Sequence, residues 1–424
     1  MKSKFQKVKG MFDTFPDADD KLRSSAKWQQ VENILHKISK QFGYQEIRTP
    51  SVEKAELFNK NIGVETDVSR EIFTWKDVKG DYLILKPEMT APVVRAYIEN
   101  GLLRHQPLSK LYYIDSLFRR ENTQKGRQRQ FHQFGVEVIG GGRASDQDAE
   151  IILLAWTCME ALKIKNKKLV INNIGDDISI RNRWEEELKK YFQKNLKKLS
   201  TLSQKRFEKN PMRILDSKEK EDQEIIKKAP TIDQVSDFEP RIFEKLQSNL
   251  KALGIPFEHD KHLVRGLDYY NGNVFEIRTS SGKAQNALCG GGRYDHLIEK
   301  MVAPSPQKSV PAVGFAAGIE RMISESELED PKKSIDVYLV CGGHEYYSDA
   351  LCLIQKLINS DYSLYFDTSR EKIKKENWEK HNPNFAIGVG LQKDGEKYWG
   401  LDFSKPRGKQ EFKNNNIDQF LKKL

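Results

Sequence analysis

Arg119, Phe131, Gln133 and Glu137 are the residues of this chain whose types and spacing first suggest chemistry. They lie in a stretch, 111–139, that reads as strand, basic loop, strand. Side chains on a strand alternate between its faces. Phe131, Gln133, Gly135 and Glu137 therefore share one face, and His132, Phe134, Val136 and Val138 share the other. The second set is mostly apolar and is expected to pack against helices. The first combines an aromatic ring, an amide and a carboxylate, which a core rarely accepts unpaired. With Arg119 at the end of the preceding strand, it makes either a polar pocket floor or a structural Arg–Glu ion pair. A second group is Arg265-Gly266-Leu267-Asp268-Tyr269-Tyr270-Asn271-Gly272. Each of its tyrosine hydroxyls needs a partner if buried, and a surface turn is the alternative. A third is Gly290-Gly291-Gly292-Arg293-Tyr294-Asp295, where three glycines permit close approach of a ligand or a neighbouring strand. Neither the dinucleotide fingerprint nor a phosphate-loop lysine motif is present, so a nucleotide must be held in another way. A fourth group is a helix read over 312–324, with Gly314, Gly318 and Arg321 at i, i+4 and i+7. Its alternative is an amphipathic core helix with one solvated arginine.

These groups need elements to position them. Trp28, Val31, Leu35, Ile38 and Phe42 recur at helical spacing, with Gly43 as a stop. Strand patterns are read at 44–49, 82–86, 111–119, 130–139 and 274–279, and a second helix at 146–164. From 166 to about 260 the chain is Lys-rich and helical in pattern, an apparent inserted module. After a linker at 331–334, strands at 335–340, 363–366 and 385–389 alternate with helices, a small α/β domain. His259 and His262 have no matching ligand pair, so ordinary structure is expected of them rather than a metal site. No Ser–His–Asp or Cys–His arrangement is suggested by local spacing.

The chain has 424 residues, 38% apolar and 31% charged, with a net charge of +10. That balance suits two or three globular domains and excludes a disordered chain. No apolar run reaches the ~18 residues of a membrane span, and no secretory leader is read. Four scattered cysteines fit reduced thiols in a cytoplasm. The basic excess is local. Residues 117–131 carry Arg119, Arg120, Lys125, Arg127 and Arg129 against Glu121 alone, and 181–210 hold 10 Lys/Arg against 4 Glu. A polyanionic partner fits the first cluster, and a solvated helix face fits the second equally well.

Taken together, these motifs resemble a class II aminoacyl-tRNA synthetase, and most closely the histidyl-tRNA synthetase family, over nearly the whole chain. FRRENTQKGRQRQFHQFGVEV (118–138) resembles the second class II motif and AVGFAAGIERM (312–322) the third. FGYQEIRTPSVE (42–53) with Pro50 resembles the first, which forms the family's dimer interface. RGLDYYNGNVFE (265–276) is similar to the peptide that marks the histidine enzymes, and MRILDSK (212–218) to part of their insertion. The resemblance implies an α+β catalytic domain built on a mixed, mainly antiparallel sheet in two parts (1–165 and 261–330). It also implies a helical insertion (166–260) and a C-terminal α/β anticodon-binding domain (335–424).

Carried over residue by residue, the resemblance implies that Glu88 and Thr90, in KPEMTAP, hold the amino group of histidine. Gln133 and Glu137 contact the amino acid, Glu137 on the imidazole side. Tyr270 and Tyr294 line the side-chain pocket, with Tyr269 beside them. Arg119 holds the α-phosphate, Phe131 and Arg321 sandwich the adenine, and Glu121 and Arg127 add ATP contacts. Arg265 stands where other class II enzymes use a metal ion, and Mg²⁺ is expected only as the companion of ATP. The loop 120–129 would meet the acceptor end of histidine tRNA, with Gln124 and Lys125 reading its extra 5′ guanosine. Lys86 stands where arginine is more usual, and Arg120 where histidine is common. The implied activity is histidine–tRNA ligase, in a cytoplasmic homodimer that binds no membrane. The alternatives are the non-catalytic paralogue that regulates ATP phosphoribosyltransferase and a class II enzyme for another amino acid. The paralogue tends to lose the ATP and signature residues, whereas Arg119, Phe131, Arg265 and Arg321 are all present here.

Overall fold

A computed structural model describes residues 4–16, 18–61, 71–120, 127–142, 144–235, 240–279, 287–302, 309–331, 335–369, 375–390, 397–404, 410–422 and 424. They divide into two units, Met1–Glu329 and Asp330–Leu424. Strands of the first unit are β1 (Gln45–Glu46), β2 (Val52–Lys54), β3 (Thr74–Lys76), β4 (Tyr82–Leu85), β5 (Leu108–Phe118) and β6 (Gln130–Gly140). They continue with β7 (Lys167–Asn173), β8 (Phe257–His259), β9 (Asn271–Thr279), β10 (Ala287–Arg293) and β11 (Ala312–Gly318). Eight form one sheet in the order β1-β5-β6-β11-β10-β9-β7-β8, and the rest a small sheet of order β2-β4-β3. In the large sheet only β1–β5 and β7–β8 are parallel pairs.

The alternation read in 130–139 sorts the two faces of this sheet. Phe134, Val136 and Val138 are buried against Trp28, Val31, Leu35 and Ile38 of the helix Ser25–Gln41 and against the helix Ala144–Ala161. Each such side chain is worth about 1.5–3 kcal/mol when fully buried, so the stripe is enough to seat the helix. Ser24 caps its start by accepting from the Lys27 amide, and Gly43, at φ +80°, follows its end. The opposite face is covered by the helices Thr90–Glu99 and Ile178–Asn195, with Tyr269, Tyr270 and Tyr294 beside them. No helix among the described residues is long and apolar enough to cross a membrane.

Two readings change. The helix expected over 312–324 is the strand β11 followed by a short helix, Ile319–Glu325. Val313, Phe315 and Ala317 belong to the core on one face of β11, a period of two that the small residues between them conceal. The Lys-rich stretch expected to be helical from 166 opens with β7, a buried strand of the large sheet, and ends near β8. The helices lie between them, Ile178–Asn195 to Arg241–Ala252. The glycine run lies within β10, paired on both sides, so of its two readings the close approach of neighbouring strands is the one found, with the Arg265 guanidinium against Gly290.

The second unit holds β12 (Val337–Cys341), β13 (Leu364–Asp367), β14 (Phe385–Val389), β15 (Tyr398–Asp402) and β16 (Gln410–Asn414), in the order β13-β12-β14-β15-β16. The first three are parallel and the last two add antiparallel. The helix Tyr347–Asn359 buries Ala350, Leu353 and Leu357 against Val337, Leu339 and Ile387. β15 and β16 escape a pattern search for a physical reason. Gly400 interrupts the first, and the second, QEFKN, is a polar edge strand.

Candidate active site

Glu137 lies midway along β6, opposite Leu111 on one side and Gly314 on the other. Its carboxyl is almost wholly buried. Tyr294 donates its hydroxyl to Oε2 at 2.6 Å, and Thr90 and Tyr113 donate to Oε1 at 2.9 and 3.5 Å. Burial pushes the Glu137 pKa up to about 8, and neighbouring Glu88 pushes in the same direction; the hydroxyl donors only partly offset this. Gly314 is required here. A Cβ on it would stand 1.8 Å from Oε2 and 2.6 Å from the Val136 carbonyl oxygen.

Glu88 precedes the helix Thr90–Glu99 and accepts from the amides of Thr90 and Ala91 at 2.8 and 2.9 Å. Tyr269 reaches its Oε2 at 3.4 Å. Burial raises the Glu88 pKa against these donors and the nearby Arg119. The Tyr269 ring lies 4.7 Å from that of Tyr270 and 5.9 Å from that of Tyr294. All three are buried, which removes the surface-turn alternative for the signature segment. The structure thus gathers Glu88, Thr90, Glu137, Tyr269, Tyr270 and Tyr294 into one cluster of hydroxyls and carboxyls.

Arg265 flanks this cluster. Its guanidinium donates to Glu276 Oε1 at 2.6 Å and lies 5.7 Å from the Tyr270 ring centroid. Arg278 donates to the other oxygen of Glu276 at 2.7 Å. Burial acts against it, yet the two guanidinium groups hold Glu276 below the usual carboxylate range. A Cβ on Gly290 would stand 2.3 Å from the Arg265 guanidinium, so β10 is its seat.

Arg119 follows β5, donates from Nε to the Pro87 carbonyl at 3.1 Å, and lies over the Phe131 ring at 4.9 Å. Glu137 takes its hydrogen bonds from hydroxyls, which favours the pocket-floor reading over an Arg119–Glu137 pair. Gln133 is half-buried at the end of the β6–β11 register, opposite Gly318. Arg321, on the helix after β11, donates to the Ala287 carbonyl at 2.7 Å. Arg127 is exposed. Glu121, Gln124 and Lys125 lie outside the described residues. His259 Nε2 is 3.2 Å from Asn172 Oδ1, and His262 Nε2 is 3.0 Å from the Ala229 carbonyl oxygen.

Two residues gain a place at the site that the sequence did not give them: Tyr113, which was not singled out, and Lys86, which stood out only as a departure from the family pattern. Tyr113 sits opposite Gly135 on β5, and a Cβ on Gly135 would stand 2.3 Å from its hydroxyl. A glycine facing a tyrosine across a strand pair was the available signal. Lys86 is fully buried, donating to the Thr49 carbonyl at 3.0 Å and to Asp115 Oδ2 at 2.7 Å. It ties the segment before Glu88 to β5. Lys86→Met leaves Asp115 without its cation and is expected to lower unfolding stability by about 3 kcal/mol, read from the urea midpoint at unchanged slope. The low end of the buried-pair range applies because Asp115 keeps partial contact with water.

The sequence model of the histidyl-tRNA synthetase family matches residues 18–322. A histidine–tRNA ligase of Protochlamydia amoebophila is 45% identical over 323 residues, 76% of this chain and 75% of the relative. That of Chlorobium limicola is 39% identical over 398 residues, 92% and 90% of the two chains. The crystal structure of apo histidyl-tRNA synthetase from S. aureus is similar at 30% identity and a TM-score of 0.76, covering 99% of both chains.

Proposed function

The chain belongs to the histidyl-tRNA synthetase family, and from that premise we propose how its pocket carries the family's reaction. It is a histidine–tRNA ligase. ATP activates L-histidine to histidyl-adenylate, and the histidyl group then passes to the 3′ end of histidine tRNA. The regulatory alternative has less support, since the curated relatives named above are ligases along most of their length.

Activation is attack of the histidine carboxylate on the α-phosphorus, with the bond to the β-phosphate oxygen breaking and pyrophosphate leaving. Positioning and charge neutralisation dominate such a step. Glu88 and Thr90 hold the amino group. Glu137, with Tyr294 and Tyr270, reads the imidazole, whose two nitrogens offer one donor and one acceptor when neutral. Tyr269 supports Glu88, and Gln133 lies on the same face of β6. Arg119 and Arg265 stabilise charge on the α-phosphate, one well-placed donor being worth about 3–4 kcal/mol. Guanidinium suits this role because its fork binds phosphate bidentately and stays charged. Phe131 and Arg321 sandwich the adenine, and Arg127 and Glu121 add contacts to ATP. Mg²⁺ enters with ATP as part of the substrate. Gln124 and Lys125 meet the acceptor end of the tRNA, and the second unit takes the anticodon. A second copy covers the small sheet, where Val52, Trp75 and Tyr82 are exposed. Four free cysteines suit the reducing cytoplasm.

The observation that carries this reading is a buried carboxyl ringed by three hydroxyls, beside an arginine braced for an anion. A pocket built to bond a side-chain N–H rejects apolar isosteres by about 10⁴–10⁵. ATP–pyrophosphate exchange with the twenty amino acids in parallel is therefore expected to respond to histidine alone. Exchange with another amino acid, or with none, defeats the assignment.

A further inference from the structure

The ladder between β6 and β11 ends where Gln133 faces Gly318. One residue earlier on β6 is His132, and two residues later on the other side is Glu320, in the first turn of the helix Ile319–Glu325. Glu320 accepts the main-chain N–H of His132 on both oxygens, at 2.9 and 3.1 Å, and His132 Nδ1 lies 2.9 Å from Oε1. The Trp28 ring meets the imidazole edge-on at 4.7 Å, which fixes the ring from its other side. A carboxylate thus replaces the ladder at the point where β11 turns into helix, with charge-assisted bonds about twice as strong as ordinary ones.

His132 directly follows Phe131, and Glu320 directly precedes Arg321. We propose that the His132–Glu320 pair is a positioning device for the nucleotide base, holding Phe131 and Arg321 at the separation that admits a purine between them. This rests on the assignment of those two side chains to the adenine. Stacking falls off steeply with distance, a gap of 0.5–1 Å already losing a quarter to a half of the contact energy. The pair makes no contact with the reacting phosphorus in this scheme, so it acts on base affinity and not on the chemical step.

The test is steady-state ATP–pyrophosphate exchange by the full chain carrying Glu320→Ala, Glu320→Gln or His132→Ala, with Phe131→Ala alongside. Glu320→Ala is expected to raise KM for ATP about tenfold and the inhibition constant of adenosine by the same factor. KM for histidine, KM for pyrophosphate and kcat should stay within twofold. Glu320→Gln still accepts the main-chain N–H and should recover most of the loss, and His132→Ala, which keeps that N–H, should fall between. Unchanged adenosine inhibition in Glu320→Ala, while Phe131→Ala weakens it, overturns the positioning role and leaves the base site standing. Unchanged adenosine inhibition in Phe131→Ala removes the base-site assignment, and the positioning role with it. A parallel rise for histidine and ATP in both Glu320 variants marks general damage to the fold and also overturns the proposal.

Discussion

With Arg265 replaced by alanine, histidine-dependent ATP–pyrophosphate exchange is expected to fall by about 10²–10³ while ATP still binds, because a donor aimed at developing charge acts mainly in the transition state. The variant should fold. Glu276, which Arg265 braces, keeps its second partner Arg278 at 2.7 Å, so no buried carboxylate is abandoned. Arg265→Lys keeps the charge and loses the planar fork, and an intermediate rate is expected. Gly290→Ala leaves Arg265 in place but puts a methyl where the guanidinium lies, 2.3 Å from Nη1. Because Glu276 pins the other side of that group, it cannot simply swing away, and Gly290→Ala should share the slow exchange of Arg265→Ala. Single-turnover adenylate formation checks all three. A wild-type rate for Arg265→Ala would remove this arginine from the chemistry.

Period-two alternation made the polar face of β6 legible in the sequence: it places Gln133 and Glu137 together, and Phe134, Val136 and Val138 opposite them. Tyrosine hydroxyls next to glycines were likewise legible as needing partners. What the partners are was not, because they come from β5, from the segment 86–90 and from the turn after β10, and sequence distance hides such pairings. Tyr113 and Glu137 are 24 residues apart, and Tyr294 and Glu137 157 apart. β11 was misread because AVGFAAG carries small residues at both strand and helix spacings. Only the bulk of Val313 and Phe315 distinguishes the two. Gly314 could then not be assigned its role, since a glycine cradling a carboxylate across a strand pair has no local signature. Lys86 departs from the family pattern, yet its ammonium still finds Asp115, so the exchange preserves a cation at that place.

The pH dependence of histidine use should turn on Glu137. At pH 7 its buried carboxyl, with a pKa pushed up to about 8, holds a proton, whereas free imidazole, near 6.5, does not. The complex then contains one proton shared between carboxyl and ring, either as two neutral partners or as an imidazolium–carboxylate pair. Between pH 6.5 and 8 the free species already carry that one proton, so binding is flat. Below 6.5 one proton must be shed, and above 8 one must be gained. A bell in kcat/KM for histidine follows, with limbs at about 6.5 and 8. Glu137→Gln does not titrate and should lose the upper limb caused by this group. It should also raise KM for histidine by about 10–100-fold, the worth of one hydrogen bond to a charged group. Stability carries the same sign. A raised carboxyl pKa stabilises the fold fully below the unfolded value of 4.5, and that contribution is lost as pH rises through about 8, so the Gln variant should show a flatter Tm against pH. Gly314→Ala tests the position of the carboxyl rather than its charge. The new methyl would overlap Oε2 at 1.8 Å, while Tyr294 and Thr90 hold that carboxyl in place. Histidine KM should rise more than in Glu137→Gln, by over 100-fold on the order of a few hydrogen bonds lost together, with ATP affinity retained. Wild-type histidine KM in Gly314→Ala, or an unchanged upper limb in Glu137→Gln, would show that imidazole is read elsewhere.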